Sequence, residues 1–450
     1  MFVFVKANPV LRLRTPNGGL IRWPLLNPII SNPRPMKINS SREILFFGGF
    51  WSLFAICLAT AAAGPLEPWA TRYVGASTIS GVAYGGGVYV AAGDVCYTSP
   101  DTICWTRKEL DPVPQNGLSG IAYGNGRFVA IEPSPWHQPG SAYVSTNGMS
   151  WQRSGDLPGN SVPVIQRIHF GGGVFLAVGQ EPNPLPESGK HWLVMTSADG
   201  ISWERHSGPT NNAESHYLNA ATYGNGLYVV GGFSGLPAQQ GLVVISTDLA
   251  NWTQVSGFPF PVINGVAFGN GSFVAVGGGN IATSTNGVQW TTRLSVGQGI
   301  LRAVAFGGNR FVAVGEPHLL LSSTNGIDWD QHASSVDGFL DVTYGSGSFV
   351  AAGGFYTAIP RGVAVQSEGR PQVCLEALGF FQPGQPGFGV LLTAEGGRTY
   401  RLQSSPILPA VSWTDVDSVT LPAGPWPPTV QMIDATAPPA GQRFYQAVSP

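Results

Sequence analysis

Apolar and polar positions in the middle of this chain repeat one pattern seven times between Thr78 and Glu376, most cleanly from Ile263 to Trp290 as INGVAFGNGSFVAVGGGNIATSTNGVQW. Each unit opens on an apolar residue, two variable positions, Val-Ala or a variant of it, an aromatic and a glycine. The copies are ISGVAYG at 79, LSGIAYG at 118, IQRIHFG at 165, LNAATYG at 218, INGVAFG at 263, LRAVAFG at 301 and FLDVTYG at 339. A Gly/Asn turn follows, then a second apolar run such as RFVAIE at 127 or SFVAVGG at 272. Two β-rich runs joined by two or three residues that accept positive φ make a hairpin. A loop of variable length leads to a third strand, and the unit ends on a fourth that carries a Trp. So small a unit cannot bury enough apolar surface alone, and the pattern predicts a stack of four-stranded sheets.

The turn between the last two strands is the sharpest local signal: STNGMSW at 145, SADGISW at 197, STNGVQW at 284 and STNGIDW at 323, with weaker copies SPDTICW at 99 and STDLANW at 246. Asn or Asp followed by Gly supplies the left-handed backbone of a tight turn. The Ser hydroxyl and the Asx side chain can satisfy its free backbone groups. The Trp three residues beyond the Gly has a large ring to bury against the neighbouring unit. These residues resemble the Asp box, or bacterial neuraminidase repeat, of sialidase, sortilin-type and photosystem-assembly-factor propellers. The resemblance spans about residues 65–370. It implies a β-propeller in which the box joins the third and fourth strands and is structural.

The seventh unit, from Phe339, runs out in VAVQSEGRPQV without a closing turn or Trp, whereas PWATR at 68 reads like WTTRL at 290. The expected architecture is therefore all-β: a seven-bladed β-propeller over 65–372 whose last sheet takes its outer strand from the N-terminal side. Such a clasp hides two sheet edges. Beyond Glu376 the period is lost. GFGVLLTAE, RTYRLQSS, SWTDVDSVTL, TVQMIDA and RFYQAVS, separated by Pro-rich turns, predict a small β-sandwich over 373–450. It resembles a terminal module appended to many secreted bacterial proteins, which implies attachment or packing rather than chemistry.

The front of the chain changes the cellular setting. Residues 45–60, ILFFGGFWSLFAICLA, follow Lys37 and Arg42 and lead into Ala61-Ala62-Ala63. This is the layout of a signal peptide over 36–63, cleaved near Ala63, with 1–35 a misassigned start or an extension. A secreted or envelope location follows, with no stable membrane insertion after cleavage. The net charge of −2 conceals an asymmetry, because residues 1–63 carry seven basic and one acidic side chain and the rest sixteen basic and twenty-four acidic. An acidic mature body does not suit a phosphate backbone, so no nucleic acid is expected as a partner. In an oxidising compartment Cys96 and Cys104, flanking the turn in VCYTSPDTIC, are candidates for a disulfide.

Candidate chemistry is sparse. The arginine cluster, Tyr-Glu pair and Phe/Tyr-Arg-Ile-Pro signature of a sialidase are not recognisable; Ala358-Ile359-Pro360-Arg361 has the wrong order. No cofactor, metal site or catalytic residue is expected. Three departures from the repeat, Arg167, His169 and Asp341, would put polar groups in the central channel if the first strand lines it. Loops between the second and third strands are long in blades two to four, as are the links after blades three and four. Trp136, His137, His191, Trp192, Phe258 and Phe260 lie there as candidate binding residues. The expected function is non-catalytic binding of a glycan or an extracellular or envelope protein through this rim. The alternative is a glycoside hydrolase using Glu132, Glu181, Glu187 or Asp156 as acid and base.

Overall fold

A computed structural model of the chain describes residues 44–46, 55–57 and 69–448, apart from 76–77, 134–139, 159–163, 183–189, 209–214, 236–238, 335, 356–360, 368–372, 381–387, 395–396, 406–413, 423–428 and 435–443. The expected cleavage site and the candidates Trp136, His137 and Glu187 lie outside these residues. Within the expected signal segment, Ile44–Phe46 pairs antiparallel with Ala55–Cys57.

The sevenfold count of four-stranded units is corrected here: six sheets are complete in four consecutive strands. Blade one runs through Ile79–Gly85, Val88–Gly93, Cys96–Ser99 and Thr106–Lys108. Blade two runs through Gly120–Gly124, Arg127–Glu132, Ser141–Ser145 and Gln152–Asp156. Blade three comprises Val164–Gly171, Val174–Pro182, Lys190–Ser197 and Glu204–Ser207. Blade four comprises His216–Gly224, Leu227–Ser234, Gln240–Ser246 and Thr253–Val255. Blade five has Gly265–Gly269, Ser272–Gly277, Asn280–Ser284 and Thr291–Ser295. Blade six has Ile300–Gly307, Arg310–Glu316, Leu320–Ser323 and Asp330–Gln331.

The last repeat makes no blade of its own. Its strands Gly338–Gly345, Ser348–Phe355 and Arg361–Ser367 are not followed in the sequence by another Ser-x-Asx-Gly motif with its Trp. Instead Trp69–Gly75 pairs antiparallel with Arg361–Ser367, from Trp69 opposite Ser367 to Gly75 opposite Gly362. This composite sheet closes the ring. Val74 is buried with Val82, Tyr89 and Ala91 of blade one, while Trp69 packs on the cluster of Val314, Leu320 and Phe339 on the blade-six side.

The hydrophobic core lies between sheets rather than within them, with one cluster at each interface around the ring. One contact recurs at all of them. A Cβ built on Gly85 would stand 2.0 Å from the Tyr123 ring of blade two, and one on Gly124 2.1 Å from Phe170 of blade three. Gly171 faces Tyr223, Gly224 Phe268, Gly269 Phe306 and Gly307 Tyr344, and Gly345 of the composite sheet faces Tyr84 of blade one. The aromatic-Gly dipeptide ending each first strand is thus a socket and a knob, and only a residue without a side chain fits the socket. Within each sheet the same ring leans on the aromatic of the second strand, as in Phe268–Phe273 at 4.7 Å between centroids.

The Ser-x-Asx-Gly turns lock the outer edge. In blade five the Ser284 hydroxyl accepts the Gly287 N–H at 2.9 Å, Asn286 Oδ1 accepts those of Val288 and Gln289 at 2.9 Å each, and Trp290 Nε1 donates to the Gly287 carbonyl at 3.0 Å. Blades two, three and six repeat this network residue for residue.

The expected disulfide does not form, and Cys96 is a buried free thiol. Cys96 opens the third strand opposite Lys108, whereas Cys104 belongs to the turn at that strand's far end, where its N–H donates to Asp101 Oδ1 at 3.2 Å. The two are not cross-strand partners. Burial also pushes the Cys96 thiol well above its usual range.

The C-terminal segment forms two three-stranded sheets. Phe388–Ala394 lies between Val373–Phe380 and Thr429–Asp434, and Thr399–Ser405 between Thr414–Thr420 and Phe444–Val448. Val390, Leu392, Tyr400, Leu402 and Met432 fill one shared core.

Two outcomes follow from the closure. Gly269→Ala forces a methyl into the Phe306 ring and should cost about 1–3 kcal/mol in denaturant unfolding, as overpacking does. Deleting Trp69–Gly75 should lower the melting temperature sharply. Unchanged melting of either variant contradicts the closure described.

Candidate functional site

Strand direction alternates along each blade, so the loops between second and third strands and the links between blades all emerge at one end of the ring. The described residues at that end explain most of the candidates, and they do so by packing. Trp192 is only 6% exposed, sits in the core between blades three and four, and meets Trp252 edge-on at 6.3 Å. Phe260 is buried, and Phe258 is wedged between it and Trp290 at 4.6 and 5.3 Å. His191 is buried, with Nε2 2.7 Å from Glu181 Oε1, its cross-strand neighbour. The rings at these four positions anchor their segments, and the structure does not bring them together as a surface.

The carboxylates at this end are equally engaged. Glu181 is fully buried and holds both His191 and Arg205. Glu132 accepts the N–H groups of Gln115 at 2.6 Å and Asn116 at 3.3 Å and the Tyr143 hydroxyl at 3.2 Å. Asp156 pairs with Arg153, and Glu316 with Arg302. Each closes a local network, with Glu181 buried beneath the exposed Arg205 that caps it.

An open feature does exist at the same end, on residues the repeat pattern did not single out. Tyr217 and Phe233, partners across the first two strands of blade four, stack at 4.5 Å with 13° between their planes. Lys190, at the start of the third strand of blade three, holds its ammonium 5.3 Å from the Tyr217 centroid. All three are half-buried, and Lys190 makes no ion pair among the described residues. The sequence signal lay in HYLNAATYG, where the strand begins before its repeat motif and carries an aromatic across from the one ending VVGGF.

The channel residues sit where the inner strands converge. Arg167 reaches from blade three across the ring, donating to the Ser80 carbonyl of blade one at 3.1 Å and to the Leu340 carbonyl of the composite sheet, and lies 3.5 Å from Asp341. Asp341 Oδ2 in turn accepts the Val82 N–H of blade one at 2.9 Å. Burial raises the Asp341 carboxyl, and Arg167 and two backbone N–H groups oppose that rise. His169, with no charged partner, is pushed down by burial to about 4 and is neutral at pH 7. The described residues contain no cluster suited to a metal ion, and none of their helices is long and apolar enough to cross a membrane.

No protein-family model and no curated protein matches the chain. Among solved structures, the WD40 β-propeller domain of Doa1 superposes with a TM-score of 0.50 at 11% identity, over 68% of this chain and 98% of that one. YCF48 from Cyanidioschyzon merolae gives 0.48 at 13% identity, over 66% and 98%. The Penicillium chrysogenum α-L-arabinanase complexed with arabinobiose gives 0.39 at 12%, over 54% and 90%. The likeness is one of fold alone: the chain is a β-propeller.

Trp192→Ala should cost about 3–5 kcal/mol of stability, as a large core truncation does. An unaltered unfolding midpoint would show the ring to be a free surface group instead. For His169 the folded state resists protonation, so its contribution is full above pH 6.5 and is lost as pH falls toward about 4. The loss amounts to roughly 3 kcal/mol from a shift of this size. Asp341, raised by burial, titrates in the opposite sense. The His169 contribution is therefore the difference between wild type and His169→Gln, and parallel stability-versus-pH curves would contradict it.

Proposed function

We propose that the protein is a secreted, non-catalytic binding propeller of the Asp-box type. It recognises a glycan or an extracellular or envelope protein through the loop-bearing end of blades two to four. The observation that carries this reading is the Tyr217–Phe233 stack with Lys190 beside it, a partly open aromatic and cationic cluster on rigid strands. Aromatic rings held in this way supply contact area at low entropic cost, and an ammonium with no ion pair among the described residues adds polar selectivity. Among the described residues, the hydrolase alternative finds Glu132, Glu181 and Asp156 each engaged by hydrogen bonds or an ion pair.

The test is a glycan array and a panel of purified envelope proteins, run beside a set of glycosidase substrates. Binding without turnover is expected, and combined Tyr217→Ala and Phe233→Ala should weaken it roughly ten- to thirtyfold with little change in melting. Binding untouched by that double substitution, or hydrolysis of any substrate, would contradict the proposal.

A further inference from the structure

The central channel has features that the rim reading does not use. It encloses a cavity of about 430 Å³ lined by the first strands of the six blades and the composite sheet, within the span of roughly 300–1,000 Å³ common to small-molecule pockets. The first strands of four blades put alanine at the same lining position, Ala83, Ala122, Ala267 and Ala305. That leaves room for the few polar side chains to reach a guest.

We infer that this channel is a second binding site, shaped for a small, uncharged, polyhydroxylated ligand, with His169 and Thr222 as its hydrogen-bonding groups. Thr222 is only 3% exposed and lines the cavity, yet its hydroxyl has no hydrogen-bond partner among the described residues. The hydroxyl is not one of the fully enclosed unpaired polar atoms of the described residues, so it opens onto the channel, where a guest that both donates and accepts can take the place of water. His169 stands on the neighbouring blade at the same position of the repeat, also lines the cavity and also lacks a hydrogen-bond partner among the described residues. A neutral imidazole offers one donor and one acceptor, and a hydroxyl offers both.

Charge accounting sets the class of ligand. The channel holds one cation and one anion, Arg167 and Asp341, and they face each other. Both are further saturated by backbone groups of blade one and the composite sheet. His169 carries no charge at neutral pH. A charged guest would therefore shed its hydration without meeting a free countercharge. A polyol instead exchanges water hydrogen bonds for those of Thr222, His169 and Thr343. The rings of Tyr84, Tyr123 and Tyr223 add aromatic lining for its C–H faces.

Saturation-transfer NMR on the full chain tests this, with glycerol, L-arabinose and D-glucose as neutral probes and D-glucuronate and D-glucosamine as charged ones. The His169 imidazole resonance, assigned by its loss in His169→Gln, should shift on titration with a neutral probe. Thr222→Val keeps the side-chain shape and removes the hydroxyl. It should weaken binding about tenfold, the worth of one hydrogen bond, with the melting temperature retained. The charged probes should compete poorly. Failure of all three neutral probes to bind, binding that leaves the His169 resonance unmoved, undiminished affinity in Thr222→Val, or equal binding of glucuronate would each overturn the inference. The Tyr217→Ala, Phe233→Ala protein should bind the neutral probe as wild type does, and loss of the signal there would place it on the rim instead.

Discussion

The contact on which this molecule depends is an aromatic ring seated on a glycine of the neighbouring sheet. It runs Gly85–Tyr123, Gly124–Phe170, Gly171–Tyr223, Gly224–Phe268, Gly269–Phe306 and Gly307–Tyr344, and returns through Gly345–Tyr84. Because the sockets have no Cβ, the first strands approach closely enough to enclose a narrow channel. Because the series returns to its start, the contacts constrain one another. The composite sheet is what lets it return. Strand Trp69–Gly75 covers the otherwise open edge of Arg361–Ser367, and Val74 joins the last core cluster to the first blade. A free edge there would be both a weak point and a template for association.

Closure also decides what the two polar regions can be. In the channel, Arg167 and Asp341 tie blade three, blade one and the composite sheet together, so these charges brace the ring rather than meet a charged ligand. At the loop-bearing end, Glu132, Glu181 and Glu316 stand at the ends of second strands, where each steadies backbone or an arginine. Among the described residues, what stands outside these networks is an aromatic stack with a lysine at the rim, and a threonine and a histidine lining the channel.

Much of this architecture was legible in the sequence, because the repeat encodes its own contacts. The aromatic-Gly pair, the Ser-x-Asx-Gly turn and the trailing Trp each have one geometric use, and PWATR at 68 could be matched to a fourth strand because WTTRL at 290 is one. The polar channel was legible too, since Arg167, His169 and Asp341 break a row of small residues. The rim was read poorly. A large ring in a long loop looks the same in sequence whether it faces solvent or a core, and Trp192, Phe258 and Phe260 take the core side. Glu181 and His191 gave no warning of their pairing, which depends on register across a loop of variable length. Cys96 and Cys104 misled because the strand ends at Ser99, which leaves Cys96 at its start and Cys104 in the turn beyond its end.

Hydrogen exchange on the native protein, followed by mass spectrometry, tests the closed ring most directly. The amides of Thr71–Tyr73 and Val363–Val365 should exchange with the same protection as the first strands of blades one and six, as parts of one cooperative unit. Rapid exchange confined to the composite sheet, with blades one to six still protected, would contradict the account.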